Sequence, residues 1–320
     1  MKKFINISAL ILALTLMTGC AASAGAIGTD DTGKPSSGLD GGNSSDKLTE
    51  GEPSVDLSDG LSAPEQDGEP VIRTLRIVDG AEDGFLVLAG EEAGSVYTLS
   101  VGDLPVTLMT PEGSETGGGE LLADGMLVDV AFNGTVLETY PGRFDGVFGL
   151  TAYGIGTAQV PGGSCYDLCG LYLQVLEDLW EKDAGLNSGI TELALDLSQA
   201  PGNLTEGEKS ALTYCFGNAH GIMAMQATRE ELIEWDRLTP VDLGSEGEGR
   251  PTLYQWEDGV LFSIRADEGH DGEVYSLPVL FFHADKWRSP LGAYFFSGCY
   301  AGWPEFGTWS GYEIGSEAIS

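Results

Sequence analysis

Apolar positions recur with two different periods along the chain, and the change of period divides it. From about Val71 to about Val160, short apolar runs are separated by Gly, Asp and Asn. Thr74–Val78, Phe85–Ala89, Val96–Val101, Val106–Met109, Met126–Phe132 and Thr135–Tyr140 read as strands. In the fifth run Val128, Val130 and Phe132 alternate with Leu127, Asp129 and Ala131, the signature of a half-buried strand. Asn133-Gly134 between the last two runs predicts a hairpin, since both turn residues tolerate positive φ. Short strands without a helix predict a small antiparallel OB-like β-barrel over 71–160.

From about Leu171 to Ser320 the helical period enters. Tyr172, Val175, Leu176, Leu179 and Trp180 fall on one face of a helix over Leu171–Lys182. Thr191–Leu197 alternates, with Leu193, Leu195 and Leu197 on one side and Glu192 and Asp196 on the other. Thr205-Glu-Gly-Glu208 and Thr228-Arg-Glu-Glu231 are capping boxes. They open helices to about Phe216 and about Leu238, with a short strand, Ile222–Gln226, between them. Leu253–Trp256, Val260–Ala266, Val274–His283, Gly292–Cys299 and Thr308–Ile314 read as further strands. The whole is predicted as an α+β multidomain chain. A barrel is followed over 171–320 by an α+β domain with a C-terminal antiparallel meander. No internal repeat is visible, which argues against solenoids and propellers.

The N-terminal 70 residues follow neither period. Lys2 and Lys3 precede an apolar run from Phe4 to Met17, too short for a comfortable membrane span and proportioned as a secretory signal. The run ends in Met17-Thr18-Gly19-Cys20. This resembles the lipobox of bacterial lipoproteins, departing from it at Met17, where leucine is commoner. The resemblance implies removal of residues 1–19 and acylation of Cys20, and two acyl chains suffice for stable anchoring. Residues 20–70 lack aromatics and are rich in Gly, Ser, Asp and Glu. They are expected to form a disordered acidic tether. It would span roughly 40 Å root-mean-square, at about 5–6 Å × √n. Gly28–Lys34 matches the first seven positions of a phosphate-binding loop, but Pro35 stands where the metal-binding hydroxyl belongs.

Two further segments carry a resemblance. Leu121–Pro141 combines the apolar pair Leu121-Leu122, Gly125, alternating valines, Asn133-Gly134 and Glu138-Thr-Tyr-Pro141. It is similar to small β-barrel domains of unknown function in lipoproteins of Gram-positive bacteria. Asp285–Phe296 with Trp309–Gly315 is similar to the C-terminal part of lipoproteins from similar bacteria. Both resemblances imply a fold and a compartment, with no activity attached.

Charge and reactive residues narrow the function. The 320 residues carry 50 acidic and 15 basic side chains, a net charge of -35. Such a chain repels nucleic acid. Four cysteines follow Cys20, and Cys165 with Cys169 is the easiest pair for a disulfide if their loop is a tight turn. Paired Cys-x₂-Cys zinc spacing is missing. His283 and Asp285 share a strand face and form the one candidate acid–base pair, for a cryptic hydrolase. His220 sits at a helix end and His270 in the acidic loop Asp267–Gly272. That loop and Asp79–Gly84 open like EF-hands but lack the acidic third and twelfth positions. Neither a Gly-x-Ser-x-Gly, a Ser-x-x-Lys nor a His-Glu-x-x-His motif occurs.

Aromatics crowd the C-terminal part, where Trp287, Tyr294, Trp303 and Trp309, with Arg288, are candidates to line a ligand groove. The leading expectation is therefore a lipid-anchored extracytoplasmic protein of the cell envelope, held to the membrane through Cys20. It would act as a non-catalytic binding or interaction module for a wall glycan, a peptide or an envelope protein, without cofactor or metal. The alternatives are the His283/Asp285 hydrolase and a structural accessory subunit of an envelope complex.

Overall fold

A computed structural model describes residues 69–154, 157, 167–241, 252–270, 279–302, 309 and 311–320. The signal, the tether with Cys20, Cys165 and Trp303 lie outside the described residues.

The first nine strands are β1 (Val71–Asp79), β2 (Phe85–Ala89), β3 (Val96–Ser100), β4 (Val106–Thr110), β5 (Gly113–Gly117), β6 (Leu127–Phe132), β7 (Val136–Leu137), β8 (Gly142–Phe144) and β9 (Val147–Tyr153). They form one sheet in the order β5-β4-β9-β6-β1-β2-β3-β8-β7. Alternation in β6 is as predicted: Val128, Val130 and Phe132 are buried, at most 1% exposed. The closed OB-like barrel is not seen. β5 and β7 are free edges, and β3 with β8 and β4 with β9 pair in parallel. A closed meander would need neighbouring strands to pair in sequence, and the hairpin expected at Asn133-Gly134 does not form. Both edges of β6 are already taken, by β1 and β9. Thr135 N–H instead donates to the Asn133 side chain at 2.8 Å, an Asx turn that carries the chain away to β7 at the far edge.

The second sheet contains β10 (Glu192–Gln199), β11 (Ala224–Gln226), β14 (Gly259–Ala266), β15 (Leu280–Ser289), β16 (Gly292–Ala301) and β17 (Ser316–Ile319). β12 (Thr239–Pro240) and β13 (Tyr254–Gln255) make a separate short ladder. The order is β11-β10-β14-β15-β16-β17. β10 lies parallel to both its neighbours, whereas β14 to β17 pair antiparallel in succession. One mixed sheet thus takes the place of a meander set apart from the α/β strands. Thr308–Ile314, expected as the last strand, supplies only the Tyr300–Glu313 bridge among its described residues. Trp309, Tyr312 and Ile314 pack on the core instead, and Tyr312 donates to Asp178 at 2.9 Å.

Among the described residues three α-helices complete the fold: α1 (Leu168–Glu181), α2 (Glu206–Ala219) and α3 (Arg229–Glu234). Both predicted capping boxes are present, at Thr205/Glu208 and Thr228/Glu231. α1 is capped by Asp167, which accepts from Gly170 N–H at 2.7 Å. α3 ends at Glu234, earlier than its periodicity implies, where Asp236 takes a positive φ of 55°. α1 and α2 lie between the sheets. Their apolar residues share one core cluster with Val78, Val87, Ala89 and Val96 of the first sheet and with Leu193, Leu195, Phe262 and Phe282 of the second.

The start of α2 fixes this arrangement. Gly207 lies so close to the Gly90 carbonyl that a Cβ would collide with it. Gly94 N–H donates to Ser210 Oγ at 2.9 Å, and Thr205 Oγ1 to the Gly90 carbonyl at 3.2 Å. Glu208 closes the capping box and also pairs with Arg76 of β1.

Candidate functional site

Strand alternation sorts the second sheet into two unlike faces. One carries Leu193, Leu195, Leu197, Val260, Phe262, Ile264, Phe282, Ala284 and Phe296, all buried against α1 and α2. Lys286 shares this face and is wholly buried. Its ammonium reaches the carbonyls of Trp180 at 3.3 Å, of Lys182, and of Asp183 at 3.4 Å, and Asn187 Oδ1 at 3.2 Å. Asn187 Nδ2 also donates to the Trp180 carbonyl at 2.8 Å and Leu186 N–H to that of Asp183 at 3.0 Å, so Lys286 caps the end of α1 chiefly at Lys182. Burial pulls its pKa down to about 8.

The other face is covered along half its length. Ala194, Leu261, Trp287 and Ala293 pack under α3 and its flanks with Ala227, Leu232, Leu238 and Trp256. Beyond α3 the same alternation continues as Asp196 on β10, Ser263 and Arg265 on β14, and Asp285 on β15. Here a cavity of about 400 Å³ opens, lined by these four with Gln199, Arg229, Trp287, Ser289 and Phe295 among others.

Charges in the cavity are unevenly satisfied. Arg265 donates to Asp285 at 2.5 Å, and Asp285 is buried while Arg265 is half exposed. Burial raises the Asp285 pKa, and the Arg265 guanidinium opposes that rise. Arg229, the first residue of α3, lies 4.2 Å from the centroid of the Trp287 ring. Among the described residues it makes no hydrogen bond or ion pair.

The predicted site residues separate in consequence. Trp287 lines the cavity but is only 8% exposed, with Arg229 stacked on it, so it is a seat for a guanidinium and offers no open ring to a ligand. Arg288 donates to the carbonyls of Trp256, Leu186, Ser188 and Glu257, which makes it a structural tie between β15 and the preceding loops. Tyr294 and Trp309 pack on the opposite face, against the helical core. The described aromatics are therefore not brought into one groove. Alternation alone explains this, since neighbours in sequence point to opposite faces.

His283 and Asp285 do share a face, yet no hydrogen bond joins them. A bulge in β16 at Ser297-Gly298 turns the Gly298 N–H onto His283 Nδ1 at 3.1 Å. An accepting Nδ1 leaves the ring proton on Nε2, which faces Asp267 at 3.4 Å. Both ring nitrogens are engaged, and a general base needs one free. Asp267 also approaches His270 Nδ1, at 3.5 Å, and His270 stacks on Phe281.

The thiols are equally quiet. Cys169, Cys215 and Cys299 are free and buried, and burial pushes all three above the ordinary thiol range, Cys299 to about 12. Glu82, Asp83, Glu120, Asp124 and Asp167 line an acidic cleft in the first sheet, and burial raises Asp167 to about 6. Among the described residues, no cluster of His, Cys, Asp or Glu is arranged to hold a metal ion.

Sequence reasoning missed Arg229, Arg265 and Ser263. Arg229 reads as filler inside a capping box. Ser263 and Arg265 were detectable, because they alternate with Phe262 and Ile264 inside an otherwise apolar strand.

No family model, curated protein or solved structure matches the chain.

Proposed function

We propose that this chain is a lipid-anchored extracytoplasmic protein of the cell envelope that binds a small wall component, a glycan or peptide fragment, in the cavity beside α3. The anchoring half rests on the lipobox-like Met17–Cys20. The binding half rests on one observation: a half-face of the second sheet that no described element covers carries a cavity of about 400 Å³ with charged, hydroxyl and aromatic walls. Sites of this size and mixed lining suit small ligands. The occupied nitrogens of His283 and the buried thiols favour binding over hydrolysis.

Two experiments test the two halves. Membrane fractionation of cells expressing the full chain should place it in the membrane pellet, and Cys20→Ala should release it to the soluble fraction; a pellet that keeps the variant contradicts lipid anchoring. A thermal-shift screen of the full chain against wall sugars, muropeptides and short peptides should raise the melting midpoint with one class. Ligand at about 100 times its dissociation constant adds about 2.7 kcal/mol. No shift with any class contradicts the binding half.

A further inference from the structure

The charges of the cavity point to the chemical class of its ligand, an inference that rests on the binding reading above. Of the two arginines in the lining, Arg265 is already neutralised by Asp285 at 2.5 Å. Arg229 is not neutralised by any described residue. In a chain with 50 acidic and 15 basic side chains, a guanidinium at a cavity wall that makes no ion pair with a described residue stands out. Its position is fixed at two points. Its backbone begins α3, behind the Thr228/Glu231 capping box, and its guanidinium lies on the Trp287 ring. Trp287 is itself locked into the cluster under α3. With its Cζ 4.2 Å from the Trp287 ring centroid, this guanidinium has no acceptor among the described residues, and the N–H fork of a guanidinium matches a carboxylate.

We infer that the cavity takes a ligand bearing one carboxylate, held by the fork of Arg229. With Asp285 held by Arg265, Asp196 in the same lining is left to repel a second negative charge, so a monoanion fits better than a phosphate dianion. Ser263 and Gln199 supply hydroxyl and amide groups for the neutral part of the ligand. A sugar acid and a peptide C-terminus share this chemistry.

The test is isothermal titration calorimetry of the full chain with matched probes. N-acetylmuramic acid is compared with N-acetylglucosamine, and N-acetyl-alanyl-alanine with its amide. Inorganic phosphate is the third arm. One acid should bind about tenfold or more tightly than its neutral partner, as expected for a charge-assisted pair. Which acid it is identifies the source. Arg229→Gln should erase that preference, so that acid and neutral partner bind alike. The circular dichroism of the unliganded variant should match the wild type at the titration temperature, which separates lost recognition from lost fold. Equal binding of acid and neutral forms, an Arg229→Gln variant that keeps the preference, or tighter binding of phosphate would each overturn the inference and leave the binding reading standing. No binding by any sugar or peptide probe would overturn both.

Discussion

The two faces of the second sheet are made by the same strands, yet they use their cations in opposite ways. On the helical face, Lys286 and Arg288 donate to backbone carbonyls and tie β15 to the end of α1 and the loop after it. On the other face, Arg265 serves one carboxylate and Arg229 serves none of the described residues. A buried cation must be satisfied inside the protein, because leaving it unpaired is expensive. A cation at an open cavity is hydrated and can exchange water for a ligand. The comparison separates charges that hold the fold from a charge available for binding.

Substitutions on matched positions sharpen the contrast. Phe262 is wholly buried on the helical face, while Phe295 is half-buried at the cavity. Phe262→Ala should cost about 3–5 kcal/mol in denaturant unfolding, and Phe295→Ala about 1 kcal/mol. Equal losses would show that the cavity face is core. Next in size, Lys286→Met leaves the Lys182 carbonyl at the end of α1 without its donor and should cost about 2 kcal/mol. The same residue has a pH signature. Its folded pKa of about 8 lies below the ordinary lysine value of 10.5. Between these pH values the unfolded chain holds the proton and the folded one releases it, so stability rises with pH. The wild type should show that rise relative to Lys286→Met; parallel curves would contradict the buried cap.

Smaller effects belong to the cavity. Arg265→Gln should cost about 1 kcal/mol at neutral pH, since the ion pair is partly solvated. Asp285 has a raised pKa, so the folded state binds protons more tightly and its charge destabilises the fold as pH rises above 3.8. Without Arg265 that fall should steepen, and the loss should vanish once Asp285 is protonated. Stability curves of both proteins from pH 4 to 7 check the sign. Least of all, Arg229→Gln removes only the contact with the Trp287 ring and should cost about 0.5 kcal/mol in denaturant unfolding.

Much of this contrast was legible beforehand. Leu193, Leu195 and Leu197 against Asp196 announced the two faces of β10, and the capping boxes located the starts of α2 and α3. Alternation fixes which residues share a face but not which face a helix covers. The sequence therefore points to Arg288, whereas the cavity holds Arg265. The Asn133-Gly134 signal failed for a related reason. It describes a local turn, whereas the partners of β6 come from β1 and β9, distant in sequence. Likewise no local pattern brings Arg229, at the start of a helix, onto Trp287 of a strand 58 positions later.

The most direct measurement follows the arginine Nε–Hε resonances of the full chain by NMR during addition of N-acetylmuramic acid and N-acetyl-alanyl-alanine. Arg229 should shift most and Arg265 less, while Arg76 and Arg288, held by Glu208 and by backbone carbonyls, stay in place. A shift at Arg288 with Arg229 unmoved would contradict the division of the two faces.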